Sequence, residues 1–106
     1  DINFSKIFLI RQGKLDVVKA WMDELKKNRR QEAITTLTQE GLSRELYALF
    51  TGNDGNSYII GITESDGEIF PTDMTIQINK EHKLFKADCL IPFSNNGELL
   101  LDLKTG

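Results

Sequence analysis

Apolar residues fall along the chain in short runs whose period changes from one stretch to the next. Ile7-Phe8-Leu9-Ile10 is a continuous apolar run that ends at Gly13 and reads as a strand. Both of its faces are apolar, which predicts cover on both. Arg11 would share a face with Ile7 and Leu9, an unusual place for a charge. From Lys14 to Asn28 the period becomes helical: Leu15, Val18, Met22 and Leu25 line up, with Trp21 beside them. From Arg29 to Glu40, Ala33, Ile34 and Leu37 keep helical spacing, and Gly41 suits a left-handed stop. One bent helix and two separate helices both fit, with the joint between Asn28 and Gln31.

Residues 44–51 alternate again, with Glu45, Tyr47 and Leu49 on one face and Leu46, Ala48 and Phe50 on the other. Gly52-Asn53-Asp54-Gly55-Asn56 is a turn, and 58–63 is the returning strand of an antiparallel hairpin. Residues 65–78 read as a connection broken by Asp66-Gly67 and Pro71. Asn79 is placed as the N-cap of a helix over 80–90. Pro92 and Asn95-Asn96-Gly97 form a loop, and residues 98–103, Glu-Leu-Leu-Leu-Asp-Leu, read as a last strand.

The predicted order is β-α-β-β-α-β. This is the ferredoxin-like α+β plan, a four-stranded antiparallel sheet with both helices on one face. The opposite face would then be bare and apolar, and the simplest closure is a homodimer, sheet face against sheet face. No repeat or linker interrupts residues 1–106, which read as a single domain.

Composition narrows the classes. The chain has 106 residues, 40% apolar and 27% charged, with net charge −3. That is ordinary globular composition. Arg29-Arg30 is too small a basic cluster for a nucleic-acid footprint. No apolar run reaches the length of a membrane span, and no secretory leader is visible. The chain begins at Asp1 without a methionine, as a trimmed or processed product does. A lone cysteine, Cys89, rules out a disulfide within the chain and a multi-cysteine metal cage, and fits a cytoplasmic setting. No cofactor or metal site is expected.

A resemblance covers nearly the whole length. It rests on residues 78–89, Ile-Asn-Lys-Glu-His-Lys-Leu-Phe-Lys-Ala-Asp-Cys, and on Gly13-Lys14 leading to Trp21. Glu32-Ala33, Leu37 through Glu40-Gly41, Glu45 and Tyr58-Ile59 complete it. Together these resemble a family of small, mostly bacterial proteins without an assigned function, built as dimeric α+β barrels. The resemblance implies the fold and a dimer, and no activity. The wider group of such barrels includes cofactor-free monooxygenases, sugar mutarotases, haem-degrading enzymes and binding modules, among which fold alone does not choose.

Candidate chemistry centres on His82, the only histidine. On a helix it shares a stripe with Phe85 and Cys89. It reads either as a general base or as a packed, locally bonded core residue. Glu45 is the second catalytic candidate. A two-residue turn at Asp54-Gly55 would set it opposite Glu64, and facing carboxylates can form an acid/base pair. Both equally fit an exposed strand end, and a register one residue off would leave Glu45 alone as a polar group inside a mostly apolar pocket. Tyr47, Arg11, Tyr58 and Trp21 are candidate ligand-binding residues: three aromatic bodies with polar handles and one guanidinium. Each also has a bland reading, core packing for the aromatics and, for Arg11, an ion pair with Glu45 across the sheet or a place in solvent at the strand end. The expectation is a dimeric domain that binds a small organic molecule, with cofactor-free isomerase or monooxygenase-like chemistry. The alternative is a non-catalytic ligand- or protein-binding module.

Overall fold

A computed structural model describes residues 1–106. The elements are β1 (Ile2–Ile10), α1 (Leu15–Lys27), α2 (Arg30–Gln39), β2 (Leu42–Thr51), β3 (Ser57–Ser65), α3 (Gln77–Cys89) and β4 (Leu90–Pro92). The four strands form one antiparallel sheet in the order β2-β3-β1-β4. This order is compatible with the ferredoxin-like plan. The helical stretch after β1 is two helices, jointed at Asn28 and Arg29 as expected.

Three boundaries differ from expectation. The helix expected at 80–90 begins at Gln77, and Ile76 holds the cap position. Asn79 therefore lies inside the first turn, where its amide donates to the Asp73 carbonyl at 2.9 Å. The fourth strand is the three-residue β4, which leaves α3 without a loop and pairs with Phe8, Leu9 and Ile10. Pro92 is tolerated there because β4 is an edge strand. Residues 98–103 form no strand. Nothing within one chain pairs with them.

The sheet's two faces are set by register and by one bulge. The β1–β3 pairing shifts between Phe4 and Ile7. Ser5 Oγ accepts the Gly61 amide at 3.0 Å, so the displaced ladder bond is replaced by a side chain. Asn3, Phe8, Ile59, Gly61, Glu45 and Tyr47 thereby face the helices, and Phe4, Ile7, Ile60, Ile62, Ala48 and Phe50 face away. The apolar run Ile7–Ile10 is thus covered on one face only. The core is small: Ile10, Val18, Ile59, Phe85, Cys89 and Leu90 cluster between α1, α3 and the sheet, with Trp21 and Met22 against them. Cys89 is fully buried and packs as a small apolar residue.

Gly41 joins α2 to β2 with φ +76°, and a Cβ there would lie 2.2 Å from the Glu68 carbonyl oxygen. The Phe70 amide bonds the Glu40 carbonyl at 3.0 Å, pinning the 68–70 crossing to this point. Gly41→Ala combines a left-handed β-carbon with a backbone clash and should cost about 2 kcal/mol or more. Urea denaturation checks this; a loss below about 0.5 kcal/mol would show that the crossing moves aside freely.

Candidate functional site

The hairpin turn fixes where Glu45 points. The loop holds five residues, 52–56, closed by Gly52 donating to the Asn56 carbonyl at 2.8 Å and by Asp54 accepting the Asn56 amide at 2.9 Å. An odd count shifts the register by one from the two-residue turn. Arg44, not Glu45, therefore stands opposite Glu64, and Glu45 stands opposite Thr63. The expected Glu45–Glu64 carboxylate pair does not form; Glu64 lies 3.8 Å from Arg44 instead.

Tyr47 is opposite Gly61, and a Cβ on Gly61 would come within 3.2 Å of the Tyr47 ring. The bare glycine lets the ring lie across β3, which carries its hydroxyl to α3. There Tyr47 Oη is 3.2 Å from His82 Nε2. On the other side of the imidazole, Trp21 Nε1 is 2.9 Å from His82 Nδ1. Indole nitrogen only donates, so Nδ1 holds a lone pair toward Trp21 and the neutral ring carries its proton on Nε2. Nε2–H then donates to Tyr47 Oη, which frees the phenolic proton for Glu45, its neighbour on the same strand face.

Aromatic contacts hold this chain in place. Trp21, His82 and Phe85 stack with centroid separations of 5.6 to 6.2 Å. Arg29 covers Trp21 at 5.9 Å from the ring and pairs with Glu81 at 2.6 Å and Glu32 at 3.0 Å. It is only 19% exposed and ties the α1–α2 joint to the residue before His82.

Electrostatics sort the groups. Burial, aided by Lys86, pushes His82 down to about 4, so the ring is neutral at neutral pH. Burial raises Glu45, and the charge of Glu40 raises it further, while Lys86 and hydrogen bonding with Tyr47 act the other way. Burial likewise raises Glu40, against a bond from Thr72 and the charge of Lys86. Tyr47 is pushed well above the ordinary phenol range by burial, then by Glu45 and Glu40. Glu45 and Tyr47 still touch solvent, Tyr47 over 37% of its surface. They sit in a concave groove, reachable by a small molecule yet flanked by protein.

That groove has two lobes. One, of 410 Å³, lies between α2, α3 and β2 and includes Glu40, Thr72 and Met74. The other, of 330 Å³, runs under α3 along the sheet to Asn3, Ser5 and Asn96. Glu45, Tyr47, His82 and Lys86 line both and form the waist between them.

Of the residues singled out in the sequence, His82, Glu45, Tyr47 and Trp21 come together here. Arg11 and Tyr58 do not. Arg11 lies past the end of β1, exposed, its amide bonded to the Cys89 carbonyl at 2.7 Å. Tyr58 is on the opposite sheet face, edge-on to Phe93, and its hydroxyl donates to Asp54 in the turn. Glu40 and Lys86 escaped sequence reading. Their one signal was position: Glu40 precedes the left-handed Gly41 that folds α2 back onto β2, and Lys86 is one helical turn beyond His82. No group of histidine, cysteine and carboxylate residues is placed to hold a metal. No helix is long and apolar enough to cross a membrane.

The chain matches a family of unknown function (DUF6176) over residues 5–105, and it belongs to that family. No curated protein and no solved structure matches it.

Proposed function

We propose that this family member binds a small organic molecule in the two-lobed groove and that Glu45 transfers a proton at it without a cofactor. The observation that carries this reading is the pair of bonds from Trp21 to His82 and between His82 and Tyr47, with Glu45 beside Tyr47 on the same strand face at the waist of the groove. Both imidazole nitrogens are engaged, so His82 is a positioning residue, and the open proton-accepting lone pairs lie on Glu45. Its raised pKa strengthens it as a base. Tyr47, its proton turned toward Glu45, holds that carboxylate at the waist of the groove. Such a base suits isomerisation next to a carbonyl; cofactor-free oxygenation begins with the same proton abstraction.

The exposed sheet face supports a homodimer. Phe4, Ile7, Ala48, Phe50, Tyr58, Ile60, Ile62 and Phe93 enclose a 530 Å³ concavity lined by apolar residues alone, and a monomer rarely leaves such a surface in water. Sheet-to-sheet pairing would make the domain a dimeric α+β barrel.

Deuterium wash-in from heavy water into a panel of small ketones, keto acids and aldoses tests the chemistry. The protein should catalyse exchange on at least one compound, and Glu45→Gln should lower the rate about 10²–10⁴-fold. Binding at the groove, seen as shifted Tyr47 and His82 resonances, with no exchange on any compound would favour the non-catalytic module. Exchange unaffected by Glu45→Gln would remove Glu45 from the chemistry.

A further inference from the structure

Residues 98–103 carry the strand pattern Glu-Leu-Leu-Leu-Asp-Leu, yet they pair with nothing. Leu100 is 86% exposed, Leu101 70%, Leu103 82% and Leu99 42%. Residues 96–106 make no hydrogen bond within the chain, whether by backbone or by side chain. A run of bare leucines with unsatisfied backbone groups is a strand lacking its neighbour.

The sheet offers three free edges, one of them the part of β1 that β4 leaves uncovered, Ile2–Lys6, which is five residues long and broken by the bulge. The β4 edge is three residues long and ends in Pro92. The β2 edge is free over ten residues, Leu42–Thr51, and places Leu46 and Phe50, both exposed, on the apolar face. Only the β2 edge is long enough for a six-residue segment. It lies on the far side of the sheet from where the segment leaves, because Gly97 passes over Phe4 on β1, so close that a Cβ would be 2.7 Å from the Phe4 Cβ.

We infer that residues 98–103 of one copy add as a fifth strand to the β2 edge of a second copy, and the reverse. This rests on the sheet-face pairing proposed above and goes beyond it. When two sheets stack face to face about a two-fold axis running along the strands, left and right exchange. The partner's β2 edge then lies above this chain's β1–β4 side, about 10 Å away. Gly97 already stands over Phe4 on that face, so the two steps to Leu99, about 7 Å extended, cover most of the gap and leave 99–103 to lie along the edge. Leu99, Leu101 and Leu103 alternate onto one face and would extend the apolar layer of Leu46, Ala48 and Phe50. The contact is isologous and closes on itself, so it gives a dimer and not a fibre. It also bears on the groove, because Asn96, which lines the inner lobe, leads directly into the crossing segment.

The test uses the full chain in sedimentation experiments and amide hydrogen exchange. In a strand, successive N–H groups point to opposite sides, so of Leu100→Pro and Leu101→Pro only one removes a bond to β2. Neither can break a hydrogen bond of the monomer, because these residues make none. The wild type should be a dimer with alternate amides over 99–103 protected. One proline variant should weaken dimerisation about tenfold or more and the other distinctly less. A dimer whose 99–103 amides exchange freely, with both variants like wild type, would overturn the exchanged strand and leave sheet-face pairing standing. A wild type that stays monomeric at high concentration would overturn both. Protection of 99–103 that survives dilution to monomer would mean the segment folds onto its own chain, and would overturn the exchange.

Discussion

Phe85→Ala should cost about 3–5 kcal/mol of stability and loosen the groove with it. Phe85 is 8% exposed, belongs to a core of six residues, and stacks on both Trp21 and His82. Only 10 of 106 residues are buried, so little packing elsewhere can take up the loss. Against a typical total of about 5–15 kcal/mol, removing this ring uses a large part of the margin. Leu84, its neighbour in sequence, is 69% exposed, and Leu84→Ala should change stability by no more than about 0.5 kcal/mol. Urea denaturation followed by the fluorescence of the single tryptophan measures both. A Phe85→Ala loss under about 1 kcal/mol would mean that the aromatic stack does not organise the core.

Acidification from pH 7 to pH 4 should draw up to about 3 kcal/mol of stability from His82 alone. Its folded pKa of about 4 lies below the ordinary imidazole value of 6.5. Between those values the unfolded chain binds the proton and the folded chain refuses it. The contribution is complete above pH 6.5, declines as pH falls, and is gone near pH 4. Glu40 and Glu45 work against this trend, since their raised pKa values let the folded state take protons more readily on acidification. Lys86 faces the same groove and reinforces the His82 effect. The comparison that isolates His82 is therefore wild type against His82→Gln, whose amide can still accept from Trp21 and donate to Tyr47. The stability difference between the two should change by about 3 kcal/mol from pH 7 to pH 4. Trp21→Phe keeps the ring stack but frees Nδ1, so the His82 pKa should rise. An NMR titration of His82 with a midpoint near 6.5 in the wild type would refute the assigned donor chain.

The strands and helices of the first two-thirds were readable because each pattern is completed within the chain. Alternation placed Glu45 and Tyr47 on one face, and helical spacing placed His82 with Phe85. The Glu45–Glu64 pair, conditional on a two-residue turn, does not form because a single extra loop residue moves every cross-strand neighbour by one, and the Asp54–Asn56 bonds that hold that residue are local details of the turn. Of the readings open for Arg11, solvent at the strand end is the one that holds, because β1 stops at Ile10. Glu40 and Lys86 look like ordinary solvated charges until the reversal at Gly41 and the turn of α3 bring them to Glu45. The strand expected at 98–103 does not form: alternation reports what a segment could bury, but a strand is a relation between two segments, and no segment of this chain pairs with it.

The bulge in β1 has an evolutionary corollary. One surplus residue sits between Phe4 and Ile7, and the bulge absorbs it, so both stay on the outer face although they are three positions apart. Removing Lys6 would restore plain alternation, with Phe4, Ser5 and Ile7 opposite Ile62, Gly61 and Ile60, whereas removing one residue from 7–10 would turn the side chains beyond it to the other face. Across the family, a one-residue change in the length of β1 should therefore fall at Ser5–Lys6 and not within 7–10.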